Sequence, residues 1–185
     1  MSISQQSTAQ ASVIASLYRE ALRQGQTLWF RVASGSMSPM IEVGDHVRIE
    51  PVKANELRIG EIAAFETSCS LIIHRIVHRQ QTDLIVQLLE MADVDLCPSW
   101  IEEQTVVGRV ITIRRDGMQV DLQHPVAQWC GTVTAYLRYR LYRWKKHRFL
   151  RSVLHACSRL AVYIAYWWLR SSSATSAAQE EPQKI

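Results

Sequence analysis

Cysteine is scarce and scattered in this 185-residue chain: Cys69, Cys97, Cys130 and Cys157, with no C-x-x-C pair. That spacing argues against a structural zinc site and against a disulfide framework, and leaves free or buried thiols. No uninterrupted apolar run reaches the roughly 18 residues of a membrane-spanning helix. The longest, residues 160–169, is closed off by Arg159 and Arg170 and is too short to span. The opening MSISQQSTAQASVIASLYRE lacks the basic-then-apolar order of a cleavable signal peptide. There is no internal repeat, and no nucleic-acid-binding motif accompanies the basic residues, so nucleic acid is not an expected partner.

What is present is a globular composition with a lopsided charge. Hydrophobic residues at 48% and charged residues at 21% suit one domain with a real core. Residues 1–120 hold 11 Lys/Arg against 14 Asp/Glu, whereas residues 121–185 hold 10 against 3. A mildly acidic body therefore carries a basic C-terminal arm. Where apolar side chains interleave such charges, anionic lipid is the favoured contact.

The hydrophobic pattern divides the chain into four parts. Residues 1–29 hold a helix over 8–24, stopped at Gly25, and then the start of a strand over 27–33. Residues 30–121 change to short strands punctuated by turn signals. HVRIEP alternates, EIAAFE follows Gly60, and SLIIHRIVHR, LIVQLLE and TVVGRVITIRR come next. DGMQVDL then opens on an Asp116-Gly117 hairpin signal. Six or seven strands at this spacing predict a mainly β fold, an antiparallel barrel-like or sandwich-like domain. Residues 122–170 read as a basic amphipathic helical arm, and 171–185 as a small, polar, disordered tail.

Chemistry-bearing residues concentrate in two stretches. VASGSMSPMIEVGDHVRIEP, residues 32–51, sets Ser34, Ser36 and Ser38 around Gly35 ahead of a Gly44-Asp45 turn. This is either a loop of small polar residues or a nucleophile held on a turn beside a sheet. A serine hydroxyl needs a base within hydrogen-bond reach. His46 and His124 sit in polar turns, and His147 and His155 belong to the arm. His74 instead lies inside the apolar run LIIHRIV, where an imidazole requires a partner. His78, four residues on, suggests a zinc pair. Four strand residues span about 13 Å, however, so one metal cannot join them, and no metal site is expected.

In their order and approximate spacing, SGSMSPMIEVGDHVRIEP, IGEIAAFE and LIIHRIV resemble the signal peptidase I serine endopeptidases. The match is to the branch with histidine as base, found in archaea, the endoplasmic reticulum and some bacteria, and it covers roughly residues 30–115. It implies an antiparallel β fold shared with the repressor-type peptidases, Ser36 as nucleophile and His74 as general base. The Ser36 N–H would be an oxyanion donor and the Ser34 hydroxyl a second one. The family's third element departs from the pattern: where an aspartate would orient the histidine stand Pro98-Ser99. Asp93 is the first choice to take that role and Asp95 the second. A dyad without a carboxylate and an inactive relative remain open.

The implied activity is removal of a signal or leader segment from a precursor protein or peptide by a Ser/His mechanism without cofactor. The substrate would lie as an extended strand along a sheet edge, with small residues before the cleaved bond. The alternatives are an inactive member acting as a binding module and a self-cleaving repressor-type peptidase. The latter usually has a lysine base and an N-terminal DNA-binding domain, for which residues 1–29 are too short. Membrane association would be peripheral: residues 136–170 suit a helix in the headgroup region of an anionic membrane, with Trp167 and Trp168 at the interface. The competing reading is a helix packed on the protein itself or on a partner.

Overall fold

The computed structural model describes Tyr18 and residues 20–67, 70–81 and 86–143. Most of the predicted N-terminal helix lies outside the described residues. Its final turn is helical through Arg23 and ends at Gly25, whose φ of 84° is the left-handed conformation of a helix stop. Residues 144–170 of the predicted arm and the tail also lie outside them.

Among the described residues, eight antiparallel strands form the body: β1 (Leu28–Arg31), β2 (His46–Glu50), β3 (Ile62–Glu66), β4 (Leu71–Gln81), β5 (Val86–Met91), β6 (Ser99–Glu102), β7 (Val106–Arg115) and β8 (Met118–Asp121). They run in the order β1-β2-β7-β3-β4-β5-β6, with β8 added to β7. Alternation explains β2, where Val47 and Ile49 are buried and His46 and Arg48 exposed. Asp116 and Gly117, at φ 51° and 78°, make the tight turn that joins β7 to β8. Positive φ at both central residues is what the right-handed twist of a two-residue hairpin demands.

β3 is buried on both faces, so its neighbouring residues enter different cores. Ile62 and Ala64 pack with Met37, Met40, Ile41, Val47 and Ile49, and Ala63 and Phe65 with Leu57, Ile76 and Leu88. Helix α1 (Pro125–Arg143) follows the sheet and lies on β4. Ala127, Gly131, Thr134, Ala135, Arg138 and Leu141 are its buried positions, at the three-to-four spacing of one helix face. Ala135 closes a third apolar cluster with Val77, Leu89 and Met91. Backbones touch where α1 crosses the turn before β3. A Cβ at Gly60 would sit 2.4 Å from Thr132 N, and one at Gly131 would sit 2.7 Å from Gly60 O.

The predicted arm therefore has a part that packs on the protein itself. Residues 136–143 belong to α1, and Arg138, one of the cations expected to face lipid, is turned inward and 1% exposed. No helix among the described residues is long and apolar enough to cross a membrane.

Candidate active site

The Ser36 loop is built by dividing its side chains between core and surface. Met37, Met40 and Ile41 are buried, which leaves Ser34 exposed and Ser36 and Ser38 half-buried on the outer side. Residues 36–40 form consecutive turns, with Ser38 N–H donating to Gly35 O and Ile41 N–H to Met37 O. The Ser38–Pro39 peptide is cis. The two ends of the loop are tied together, because Val32 N–H donates to Asp45 O and Gly44 N–H to Val32 O. Asp45 itself accepts two hydrogen bonds from Arg115 of β7, at 2.8 and 2.6 Å, and one from Glu42 N–H. The Gly44-Asp45 motif thus serves as a clamp on the sheet.

His74 is on β4 opposite Ala63 of β3, its ring edge-on to Phe65 at 5.9 Å. Its Nδ1 lies 2.6 Å from Glu90 Oε2, with the imidazole side chain 17% and the carboxylate 8% exposed. Register makes this pair. Glu90 stands opposite Ile76, so His74 is its diagonal neighbour on the same face, within reach of a long side chain. With Nδ1–H donating to the carboxylate, Nε2 carries the lone pair that can accept a proton.

The carboxylate on His74 is therefore Glu90, which corrects the assignment of Asp93 to that role. Asp93 points to the opposite face of the sheet. It accepts Arg75 Nε at 3.0 Å and Arg75 Nη2 at 2.6 Å, with the two side chains 3% and 1% exposed. Arg75 also donates to Gly60 O at 2.9 Å. Alternation along β4 is the reason, since adjacent residues His74 and Arg75 must face opposite ways. Asp95 does not reach His74 either; its Oδ1 accepts Cys97 N–H within its own loop.

The Ser36 loop is tied to the chain that follows β5. Val94 N–H donates to Ser36 O at 3.1 Å, one residue beyond Asp93, whose partner Arg75 adjoins His74. Ser34 Oγ and Ser36 Oγ are 3.5 Å apart. Among the described residues no hydrogen bond joins Ser36 Oγ to His74, and the Ser36 N–H donates to no acceptor. β4 pairs with β3 from Leu71 to Arg75 but with β5 only from Arg75 onward, so residues 71–74 have one edge without a strand partner among the described residues.

His78 is separated from His74 by a bulge between Ile76 and His78, which turns it toward α1. There its ring stacks on Tyr139 at 4.5 Å, with Trp100 edge-on at 6.2 Å. Among the described residues no three His, Cys, Asp or Glu side chains are grouped to hold a metal ion. A cavity of about 280 Å³ lies between α1 and the Gly60 turn, lined among others by Met40, Arg75, Trp129 and Cys130. Neither Ser36 nor His74 lines it. Burial pushes the Cys130 thiol above its ordinary range, opposed in part by the Arg75 charge.

Glu90 was within reach of sequence reasoning. It sits in the apolar run LIVQLLEM as His74 sits in LIIHRIV. Two polar groups in neighbouring apolar strands satisfy the same burial rule by finding each other. No family model matches the chain, and no curated protein matches it.

Proposed function

We propose that this protein is a serine endopeptidase resembling signal peptidase I, which removes a signal or leader segment from a precursor at an anionic membrane surface. The carrying observation is the 2.6 Å pairing of His74 Nδ1 with a mostly buried carboxylate, because it orients the ring and fixes the tautomer a general base requires. Ser36 Oγ attacks the scissile carbonyl while His74 Nε2 takes its proton, and Glu90 stabilises the imidazolium that results. The Ser36 N–H and the Ser34 hydroxyl receive the negative charge developing on the carbonyl oxygen. His74 then returns the proton to the leaving amine, and water hydrolyses the acyl-enzyme by the same route. The Ser36–His74 hydrogen bond closes when substrate fills the site, as is common for serine nucleophiles. An extended precursor segment would pair with the open edge of residues 71–74. The basic residues beyond α1, in 144–170, would hold the protein on lipid.

One observation favours a second reading, a catalytically silent module that binds such segments. Ser36 Oγ has its contact with Ser34 and, among the described residues, no hydrogen bond with His74. A serine-directed acylating probe separates the two. Covalent labelling of wild type at Ser36, lost in Ser36→Ala and His74→Ala, together with cleavage of precursor peptides, supports the peptidase. Binding of those peptides without labelling or cleavage supports the module.

A further inference from the structure

Helix α1 lies beyond the segment that resembles a peptidase, yet one of its side chains enters the loop that is hydrogen-bonded to Ser36. Arg138 is 1% exposed. Its Nη1 donates to Asp93 O at 3.0 Å, and its Nη2 donates to Ala92 O and Asp95 O. Its Nε lies 3.8 Å from Asp93 Oδ1. A single guanidinium thus engages three of the four carbonyls of residues 92–95. The remaining residue, Val94, turns its N–H to Ser36 O. The same four residues follow Glu90 and Met91 directly and hold Arg75, the chain neighbour of His74, through Asp93.

We infer that Arg138 is a positioning residue for the Ser36–His74 site, and that the docking of α1 on β4 governs the reactivity of Ser36. The inference rests on the serine-peptidase reading and deepens it by adding a control element. The physical reason is the irregularity of this loop. After Met91 the chain leaves the β4–β5 ladder, so among the described residues its carbonyls have no strand to accept from. A planar fork with five donors is suited to gather several such carbonyls at once, whereas lysine offers a single point of attachment. Without that fork the loop loses its fixed path, and with it the Val94–Ser36 hydrogen bond that sets the nucleophile's backbone. A shift of α1 therefore reaches Ser36 through one side chain.

The test uses the full-length chain and three variants: Arg138→Lys, Arg138→Met, and a Leu141 control. The control is Leu141→Val or Leu141→Ala, whichever matches Arg138→Lys in melting temperature; Leu141 is buried on the same helix face. Two measurements are made well below every melting transition. The first is the rate and final extent of Ser36 acylation by a small serine-directed probe. The second is amide hydrogen exchange over residues 34–38 and 92–96. Arg138→Lys should slow acylation at least tenfold with the final extent unchanged, and should raise exchange in both segments, while the Leu141 control leaves both as in wild type. Equal losses in the control would overturn the inference, because they would reduce Arg138 to helix stability. Unchanged exchange and acylation in a folded Arg138→Lys would overturn it too. If wild type is never acylated, the peptidase reading fails by itself, and the exchange data still decide whether Arg138 sets the loop.

Discussion

Replacing Glu90 by glutamine removes one charge from the site and almost nothing of its shape, which makes it the sharpest probe of the His74 assignment. On the proposed mechanism His74 becomes an imidazolium beside Glu90 in the transition state, and both side chains are mostly shielded from water. Unit charges about 4 Å apart at an effective dielectric near 20 attract by about 4 kcal/mol. Loss of that term from the barrier corresponds to about 10³-fold in rate. The glutamine amide can also donate to Nδ1, which favours the tautomer with the proton on Nε2 and adds to the loss; a comparable change in a Ser-His-Asp site costs about 10⁴-fold. Asp93→Asn should behave in the opposite way. Arg75 and Asp93 are both buried, and a charge left unpaired there costs about 3–5 kcal/mol. In a domain of this size that lowers the melting temperature by roughly 10 °C. The assay pairs thermal melts with single-turnover acylation of Ser36 at a temperature where both variants are folded. Glu90→Gln should melt near wild type and acylate about 10³-fold more slowly. A wild-type rate in Glu90→Gln, or a comparable collapse in folded Asp93→Asn without one in Glu90→Gln, would refute the assignment.

Gly131→Ala should destabilise by about 1–3 kcal/mol, because its Cβ would lie 2.7 Å from the Gly60 carbonyl oxygen and neither backbone can yield cheaply; chemical denaturation measures the loss. The exposed thiol of Cys97 should react with iodoacetamide at neutral pH well before half-buried Cys130, as peptide mapping at each site would report. Because burial raises the Cys130 pKa in the folded state, its contribution to stability is full below the unfolded value of about 8.5 and is lost as pH rises through the folded value. Cys130→Ala should therefore flatten the decline in melting temperature above about pH 8.5. Ending the chain after residue 143 should abolish sedimentation with anionic vesicles at low salt while Ser36 still reacts; ending it after 130 should unfold the protein.

The strands and the Asp116-Gly117 hairpin were legible because each follows from residues close in sequence. Alternation in HVRIE and the turn chemistry of Asp-Gly need no distant partner. The carboxylate on His74 was not legible in the same way. Choosing among Glu90, Asp93 and Asp95 requires knowing which face each side chain occupies, and one residue of register moves a side chain to the other face. The bulge between Ile76 and His78 alters that register within the strand that carries His74. Sequence proximity to a family pattern favoured Asp93, whereas the pleat gave Asp93 to Arg75 and Glu90 to His74.

The basic arm shows why charge counting fails at a domain boundary. Arg138, Arg140 and Arg143 are indistinguishable in a sum, yet the first is buried under the sheet's loop carbonyls and the other two are exposed. Arg140 lies 5.1 Å over the Tyr136 ring, on the outer side of the same helix. A cation at an inward helical position contributes hydrogen bonds to the fold and nothing to lipid attraction, while one on the outer face contributes about 1 kcal/mol near an anionic surface. The partition also separates the two truncations. Removing residues from 131 onward takes away Ala135 and Arg138, uncovers Val77, Leu89 and Met91, and releases the loop beside Ser36. Lost vesicle binding would then be indistinguishable from lost structure. Cutting after Arg143 keeps the helix face that packs on β4 and removes the basic stretch 144–170. Whether lipid acts on this protein is therefore decided by residues 144–170, and whether α1 acts on the active site is decided by Arg138.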